Sequence, residues 1–134
     1  MINQKQHTSA FIKLVDIIKA EIKELAVAGL NKKINSQQLF YLIDVRERDE
    51  FQQGSIVHAI PLSKGIIERD IEKYIPDFEV EIVVYCSGGF RSCLAADNLQ
   101  KMGYRHVTSL QGGLSAWLEA GYPLIKIPNN AISS

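Results

Sequence analysis

One cysteine of this 134-residue chain occupies a position that suits a reactive thiolate. Cys86 follows the apolar, β-branched run Val80–Tyr85, and Gly88 and Gly89 come just before a helical pattern that begins near Arg91. A helix start presents unpaired amides and the positive end of its dipole, and adjacent glycines let successive amides turn toward one point. Because these features and the arginine charge all favour the anionic form of a thiol, Cys86 is a candidate nucleophile.

Each of the two cysteines also has a purely structural interpretation. A free cysteine is usually a small buried hydrophobic residue, and only the convergence of glycines, arginine and helix start favours a nucleophile at Cys86. Cys93 lies seven positions later, in the predicted helix. We expect it to pack inertly against the sheet, because a disulfide would need facing side chains and Cα atoms within about 7 Å.

The segment from Cys86 to Ser92, CSGGFRS, resembles the active-site loop of the rhodanese family of sulfurtransferases. Flanking segments agree with the family pattern, and the similarity runs from about residue 21 to residue 124. These segments are LIDVRE at 42–47, AADNL at 95–99, GY at 103–104, GGLSAW at 112–117 and AGYP at 120–123. The stretch at 54–63 departs from the pattern, which has a histidine where Ser55 stands and a glycine at His58.

The resemblance implies sulfur transfer through a covalent intermediate. The Cys86 thiolate would take the outer sulfur of thiosulfate or a similar donor and pass it from a persulfide to cyanide or a thiol, a protein thiol included. Backbone amides of the loop would hold the transferred sulfur. The implied substrate-binding residues of the loop are Ser87, Gly88, Gly89, Phe90, Arg91 and Ser92.

Arg46 is a further predicted substrate-binding residue. Ligand sites of parallel sheets lie beyond the carboxyl ends of the strands, and Arg46 follows the second strand as Cys86 follows the fourth. We therefore expect a second cation on the same rim, where an anionic substrate meets the thiolate. Asp44, inside an apolar run, is expected to bond to backbone groups or a nearby arginine, since buried aspartates are paired.

Loop length separates this chain from phosphatases and arsenate reductases of similar fold. Those enzymes have five residues between cysteine and arginine, whereas four lie between Cys86 and Arg91. A smaller ring of amides suits a sulfur atom better than a tetrahedral oxyanion. The other open alternative is a sulfur-carrier or regulatory module that binds a protein partner through its N-terminal helix, with little thiosulfate turnover.

The elements that position this loop alternate between strands and helices. Strand patterns lie near 39–45, 58–62, 80–85 and 106–110, with helical patterns between them, and the family resemblance implies a further short strand at 23–27. The sequence predicts an α/β fold: a single rhodanese-like domain at 21–127 with a five-stranded, mainly parallel sheet and helices on both faces. Pro61 favours an edge position for the third strand.

An amphipathic helix precedes this domain. It begins after Thr8 or Ser9, and its apolar stripe runs from Phe11 to Ile22, which predicts a C-terminal end between Glu21 and Leu25. The predicted organisation is an extension at 1–20, the domain at 21–127 and a tail at 128–134. The stripe either packs on the domain or binds a partner or a second copy of the chain, so monomer and homodimer both remain open.

Composition narrows the possible partners. Fifteen basic and fifteen acidic residues cancel, which gives no reason to expect nucleic acid or an anionic membrane. The three histidines are scattered and no CxxC spacing occurs, so we expect neither a metal nor a cofactor. Two free cysteines and the absence of a signal-peptide pattern or a long apolar run predict a cytoplasmic protein.

Overall fold

The computed structural model describes residues 7–127, so the predicted tail and the first six residues of the extension lie outside the described residues. Helices and strands alternate through this part of the chain. The helices are α1 Ser9–Lys19, α2 Val27–Asn35, α3 Arg48–Gln53, α4 Ile67–Tyr74, α5 Arg91–Met102 and α6 Gly113–Glu119. The strands are β1 Lys23–Leu25, β2 Tyr41–Asp44, β3 Ile60–Pro61, β4 Glu81–Tyr85 and β5 His106–Leu110.

The five strands form one sheet in the order β1-β5-β4-β2-β3, and every pair of neighbours is parallel. The α/β prediction is therefore confirmed. Strand β4 is central and pairs with β5 and β2. Because both of its faces are buried, its sequence is apolar on both sides. Pro61 lies in the two-residue edge strand β3, as predicted from its missing amide hydrogen. The chain leaves the carboxyl end of this central strand at Cys86.

Helices cover both faces of the sheet and separate two apolar cores. One core packs α4 and α5 against the sheet, with Ile67, Ile71 and Leu99 fully buried. The other packs α2, α3 and α6 against the opposite face through Leu30, Phe51 and Trp117. The central strand contributes side chains to both cores, which holds the position of its carboxyl end.

Helix α1 lies against α5. Val15 is 1% exposed on the packed side, whereas Leu14 and Ile17 on the outer side are 47% and 63% exposed. The helix ends at Lys19 rather than between Glu21 and Leu25 as predicted, because residues 23–25 pair with β5 instead. The packed side supports the interpretation of the stripe as a face against the domain. Among the described residues, no helix is both long and apolar enough to cross a membrane.

Asp44 and Arg46 form a buried ion pair at the end of β2. The Arg46 guanidinium donates to both oxygens of Asp44, with Nη2 2.7 Å from Oδ2, and Nη2 also donates to the Gly54 carbonyl at 2.7 Å. The Arg46 amide donates to the same carboxylate at 2.9 Å. Burial acts to lower the pKa of Arg46, but the hydrogen bonds and charge of Asp44 outweigh it, and the pKa is raised. The expected pairing of Asp44 is confirmed.

We predict that Asp44→Asn lowers the free energy of unfolding by about 3 to 5 kcal/mol, because it leaves the buried guanidinium without a counter-charge. The amide would also place a donor against Nη2. The matched control is Glu79→Gln, which breaks the exposed pair between Glu79 and Arg105, 3.6 Å apart. That change should cost at most about 1 kcal/mol. Urea unfolding of both variants checks the difference, and equal losses would contradict a structural role for the buried pair.

Candidate active site

The Cys86 sulfur lies in a cradle of backbone amides at the carboxyl end of β4. The Gly89 amide donates to Sγ at 3.2 Å and the Ser92 amide, in the first turn of α5, donates at 3.4 Å. Gly89 reaches this orientation with a φ of 91°, which glycine adopts without strain. The positive end of the α5 dipole adds to these amides. Fixed dipoles of this kind stabilise negative charge on the sulfur.

Two serines continue the polar contacts beneath the cradle. Ser92 Oγ lies 3.5 Å from Cys86 Sγ and 2.8 Å from Ser109 Oγ, and both serines are fully buried. The Cys86 thiol is the donor to Ser92 Oγ, so Ser92 can accept from the sulfur while its hydroxyl also bonds to that of Ser109.

Cys93 packs beneath the loop. Its thiol donates to the Gly89 carbonyl at 3.0 Å and is fully buried. Burial raises the pKa of the Cys93 thiol, with the hydrogen bond to Ser109 opposing this only in part. Cys93 is therefore held as a thiol that braces the peptide next to the cradle, which agrees with the expected packing role.

The N-terminus of α6 holds the outer side of the loop. The Leu114 amide donates to the Cys86 carbonyl at 2.8 Å, and the Ser115 amide donates to the Ser87 carbonyl at 2.9 Å. These bonds hold the Cys86 and Ser87 carbonyls pointing away from the sulfur, which leaves the loop amides pointing toward it. The approach is so close that a Cβ on Gly113 would lie 2.5 Å from the Cys86 carbonyl oxygen.

Glu50, from α3, ties the loop to a second element. Arg91 donates from Nη1 to Glu50 Oε1 at 3.0 Å and from Nη2 to Oε2 at 3.2 Å. Ser87 Oγ lies 3.4 Å from the same carboxylate. Hydrogen bonding to Arg91 lowers the pKa of Glu50, with burial opposing it, so Glu50 stays ionised to a lower pH than an ordinary carboxyl group. Its contribution to stability is lost only as the pH falls through that lowered pKa.

A cavity of about 660 Å³ opens above the sulfur. The loop supplies its floor, including Cys86, which is 1% exposed. One side is aromatic: Phe11 of α1 stacks on Phe90 with ring centroids 5.9 Å apart, and the His7 ring lies 4.5 Å from that of Phe90. We call His7, Phe11 and Phe90 the aromatic wall.

The structure brings together most of the residues predicted for the site. Cys86, Ser87, Gly88, Phe90 and Arg91 line the cavity, while the amides of Gly89 and Ser92 reach the sulfur from below.

Arg46 is the exception among the predicted site residues. It does not line the cavity and is 5% exposed, and its guanidinium is bound to Asp44 and the Gly54 carbonyl. Among the described residues, Arg46 therefore does not supply the second cation expected beside the thiolate.

Sequence patterns do not identify several of the residues that hold the active-site loop in place. Glu50 follows the second strand at the same rim, so its position could have been noticed, but its pairing with Arg91 spans 41 residues. Ser109 and Gly113 contact the loop from other elements. Within residues 7–127, no group of three or more histidine, cysteine, aspartate or glutamate side chains is placed to hold a metal ion.

We predict that Gly113→Ala lowers the free energy of unfolding by at least about 2 kcal/mol. The new Cβ would meet two loop carbonyls and the Gly89 amide within 2.8 Å, at a φ of 58°. Gly65→Ala is the control, because no atom lies within 4 Å and its φ is not positive. It should leave stability unchanged or raise it by up to about 1 kcal/mol. Thermal unfolding compares the two variants. If Gly113→Ala leaves the stability unchanged, the structure tolerates a wider gap between α6 and the active-site loop.

Comparison with known proteins gives a family match and similar sequences in other organisms. The family model for the rhodanese-like domain matches residues 26–120. A protein of Bacillus subtilis, provisionally named sulfurtransferase YtwF, is 37% identical over 97 residues, which cover 72% of this chain and 91% of that one. A protein of Schizosaccharomyces pombe, provisionally named a mitochondrial thiosulfate sulfurtransferase, is 36% identical over 124 residues, covering 84% of this chain and 82% of that one.

One of the solved structures also resembles the chain over nearly its whole length. A protein of unknown function from Rhodopseudomonas palustris, described as a possible tyrosine phosphatase, superimposes with a TM-score of 0.80 at 26% identity. The superposition covers 93% of this chain and 99% of that one. With the family match spanning most of the chain and the loop geometry above, the protein belongs to the rhodanese-like domain family.

Proposed function

We propose that the protein is a sulfurtransferase that carries sulfane sulfur on Cys86 as a persulfide. The observation that carries the proposal is the convergence of the Gly89 and Ser92 amides on the Cys86 sulfur, at 3.2 and 3.4 Å. Relatives in Bacillus subtilis and Schizosaccharomyces pombe bear sulfurtransferase names, which supports the same reaction class. Thiosulfate, or a donor of similar chemistry, is the proposed sulfur source.

In the first half-reaction, the Cys86 thiolate attacks the outer sulfur of thiosulfate. A sulfur–sulfur bond forms to Cys86 while the original one breaks, and its electron pair leaves with sulfite. The product is a Cys86 persulfide whose negative charge lies on the terminal sulfur. The loop amides stabilise that charge without reorganisation, because the α6 contacts already hold the loop in place.

In the second half-reaction, an acceptor enters the same cavity. Cyanide or a thiolate attacks the terminal sulfur, and the electron pair of the persulfide bond returns to Cys86. The product is thiocyanate or an organic persulfide, and the enzyme thiolate is regenerated. Arg91 is held by Glu50 and Ser87, so its proposed role is to brace the loop.

Phosphatase chemistry is the competing function, since a structurally similar protein is described as a possible tyrosine phosphatase. The loop argues against it here. Four residues separate Cys86 from Arg91, and the amides already contact a single sulfur atom. A tetrahedral phosphoryl group needs a wider ring of donors and an arginine free to bind its oxygens, whereas Glu50 occupies both terminal nitrogens of Arg91.

The proposal predicts that thiosulfate adds one sulfur atom, a gain of about 32 Da, to Cys86. The measurement is mass spectrometry after incubation without reductant, then alkylation and trypsin digestion. Trypsin cleaves after Arg91, so Cys86 falls in peptide 74–91 and Cys93 in peptide 92–101. The added sulfur should be found in the first peptide alone and be removed by cyanide with release of thiocyanate.

Cys86→Ser is the matched control and should take up no transferable sulfur. Sulfur found on Cys93, or loading that persists in Cys86→Ser, would contradict the proposed nucleophile. If millimolar thiosulfate and inorganic polysulfide both fail to load Cys86 while iodoacetamide still alkylates it, sulfur transfer is the wrong function for a reactive thiol. Release of phosphate from p-nitrophenyl phosphate would then favour the phosphatase alternative.

A further inference from the structure

The aromatic wall of the cavity comes largely from outside the part of the chain that matches the family model. His7 and Phe11 precede residue 26, where that match begins, and only Phe90 belongs to the active-site loop. The three rings contact one another, with the centroids of His7 and Phe11 5.2 Å apart. An element added before the domain therefore shapes the space above the nucleophile.

The position of the wall is fixed by packing rather than by chance contact. Val15 is buried against the domain one helical turn after Phe11, and Ile18 is half-buried on the same side. Lys19 Nζ lies 5.8 Å from the centroid of the Phe90 ring, which adds a cation–π contact at the other end of the helix. Phe11 is thus held in place beside Phe90 before any substrate arrives.

The charged side chains that line the cavity do not favour an inorganic dianion, and Lys19 lies outside this lining, against the Phe90 ring. Of the described side chains that line it, Arg91 is the one with a permanent positive charge, and Glu50 neutralises it through two hydrogen bonds. Arg46 is bound to Asp44 outside the cavity lining. A donor with two negative charges, such as thiosulfate, gains little from this arrangement beyond the amides that receive its outer sulfur.

The size of the cavity points the same way. Its volume of about 660 Å³ falls within the range of roughly 300 to 1,000 Å³ that is typical of sites for organic molecules. Thiosulfate is an ion of only a few atoms and would leave most of this space, including the wall, without contact. An aromatic or aliphatic group attached to the reacting sulfur would fill it and bury apolar surface.

We propose that the aromatic wall is a specificity element that selects sulfur donors with an apolar organic body over inorganic ones. The inference rests on the proposed function, since it names the substrate class of the same site. The donor places its outer sulfur at Cys86 and its carbon skeleton against Phe11 and Phe90. Phe11 acts as a specificity-determining residue, although it lies outside the segment that matches the family model.

Thiosulfonates test this inference because they keep the reacting group constant while the body changes. Cys86 thiolate attacks the outer sulfur of R–SO₂–S⁻, the sulfur–sulfur bond breaks, and its electron pair leaves with the sulfinate R–SO₂⁻. The product is the same Cys86 persulfide for every donor. Benzenethiosulfonate and methanethiosulfonate each carry one negative charge and differ in the apolar group alone.

The measurement is the second-order rate constant for Cys86 loading by each donor, followed by mass spectrometry after rapid alkylation. Each constant is divided by that for the same donor with N-acetylcysteine, which removes differences in intrinsic reactivity. We expect the corrected ratio of benzenethiosulfonate to methanethiosulfonate to be at least about ten in the natural protein, because burial of a phenyl group contributes that much. Phe11→Ala should lower the ratio about three- to tenfold.

Ile17→Ala is the control, since Ile17 lies on the outer side of the same helix and is 63% exposed. It should keep the ratio of the natural protein. Phe11→Leu, which keeps an apolar side chain of similar length but removes the ring, serves if Phe11→Ala does not fold; it too should lower the ratio. The use of a ratio cancels any general loss of reactivity in a variant.

Two results would overturn the inference while the proposed function stands. One is a corrected ratio near one in the natural protein, with both donors loading Cys86. The other is a high ratio that Phe11→Ala and Phe11→Leu leave unchanged, which would place the selective surface elsewhere in the cavity. By contrast, if no donor gives a cyanide-removable sulfur on Cys86, it is sulfur transfer itself that fails.

Discussion

The site depends on one constraint: two backbone amides must point at a single sulfur atom while the carbonyls of the same loop point away. The carbonyls of Cys86 and Ser87 would otherwise oppose any negative charge on Sγ, and the N-terminal amides of α6 take them up at 2.8 and 2.9 Å. This requires α6 to approach the loop so closely that only glycine fits at position 113. Two helix N-termini thus cooperate, α5 at the sulfur and α6 at the carbonyls, and both helices are anchored in the cores that β4 shares.

The arginine side chains near the loop are paired with carboxylates. Arg46 is bound by Asp44 and Arg91 by Glu50, so neither guanidinium is free to dominate the electrostatics of the cavity. The positive potential at the sulfur then comes mainly from amides whose positions do not change during a reaction, in keeping with preorganised stabilisation. The Glu50 pair has a mechanical effect as well, because it connects α3 to the loop crest through Arg91 and Ser87.

Local sequence signals are sufficient for the fold and for the position of Cys86 beside the loop amides, and insufficient for the side-chain pairs. Helix α5 and strand β5 have the bounds that their patterns predict, and Gly103 ends α5 in a left-handed conformation with a φ of 114°. His58, which stands where the family pattern has a glycine, has a φ of 71°, so the backbone there keeps the conformation that glycine favours. The position of Arg46 near the rim follows from the sequence, but the direction of its guanidinium does not, because that depends on Asp44 two residues earlier. The Glu50–Arg91 pair joins segments 41 residues apart and has no local pattern at all.

The end of α1 illustrates the same limit and has a consequence for function. Periodicity alone extends the helix past Lys19, but residues 23–25 pair with β5 and the chain turns at Ala20 and Glu21. The short helix that results lies on α5 with the Phe11 and Phe90 ring centroids 5.9 Å apart. The domain therefore supplies the chemistry through a cradle that the family pattern already contains, whereas the shape of the space above it is set by a helix outside that pattern. If Phe11 has the proposed specificity role, a change in the preceding helix alters which donors react while the amides at the sulfur stay in place.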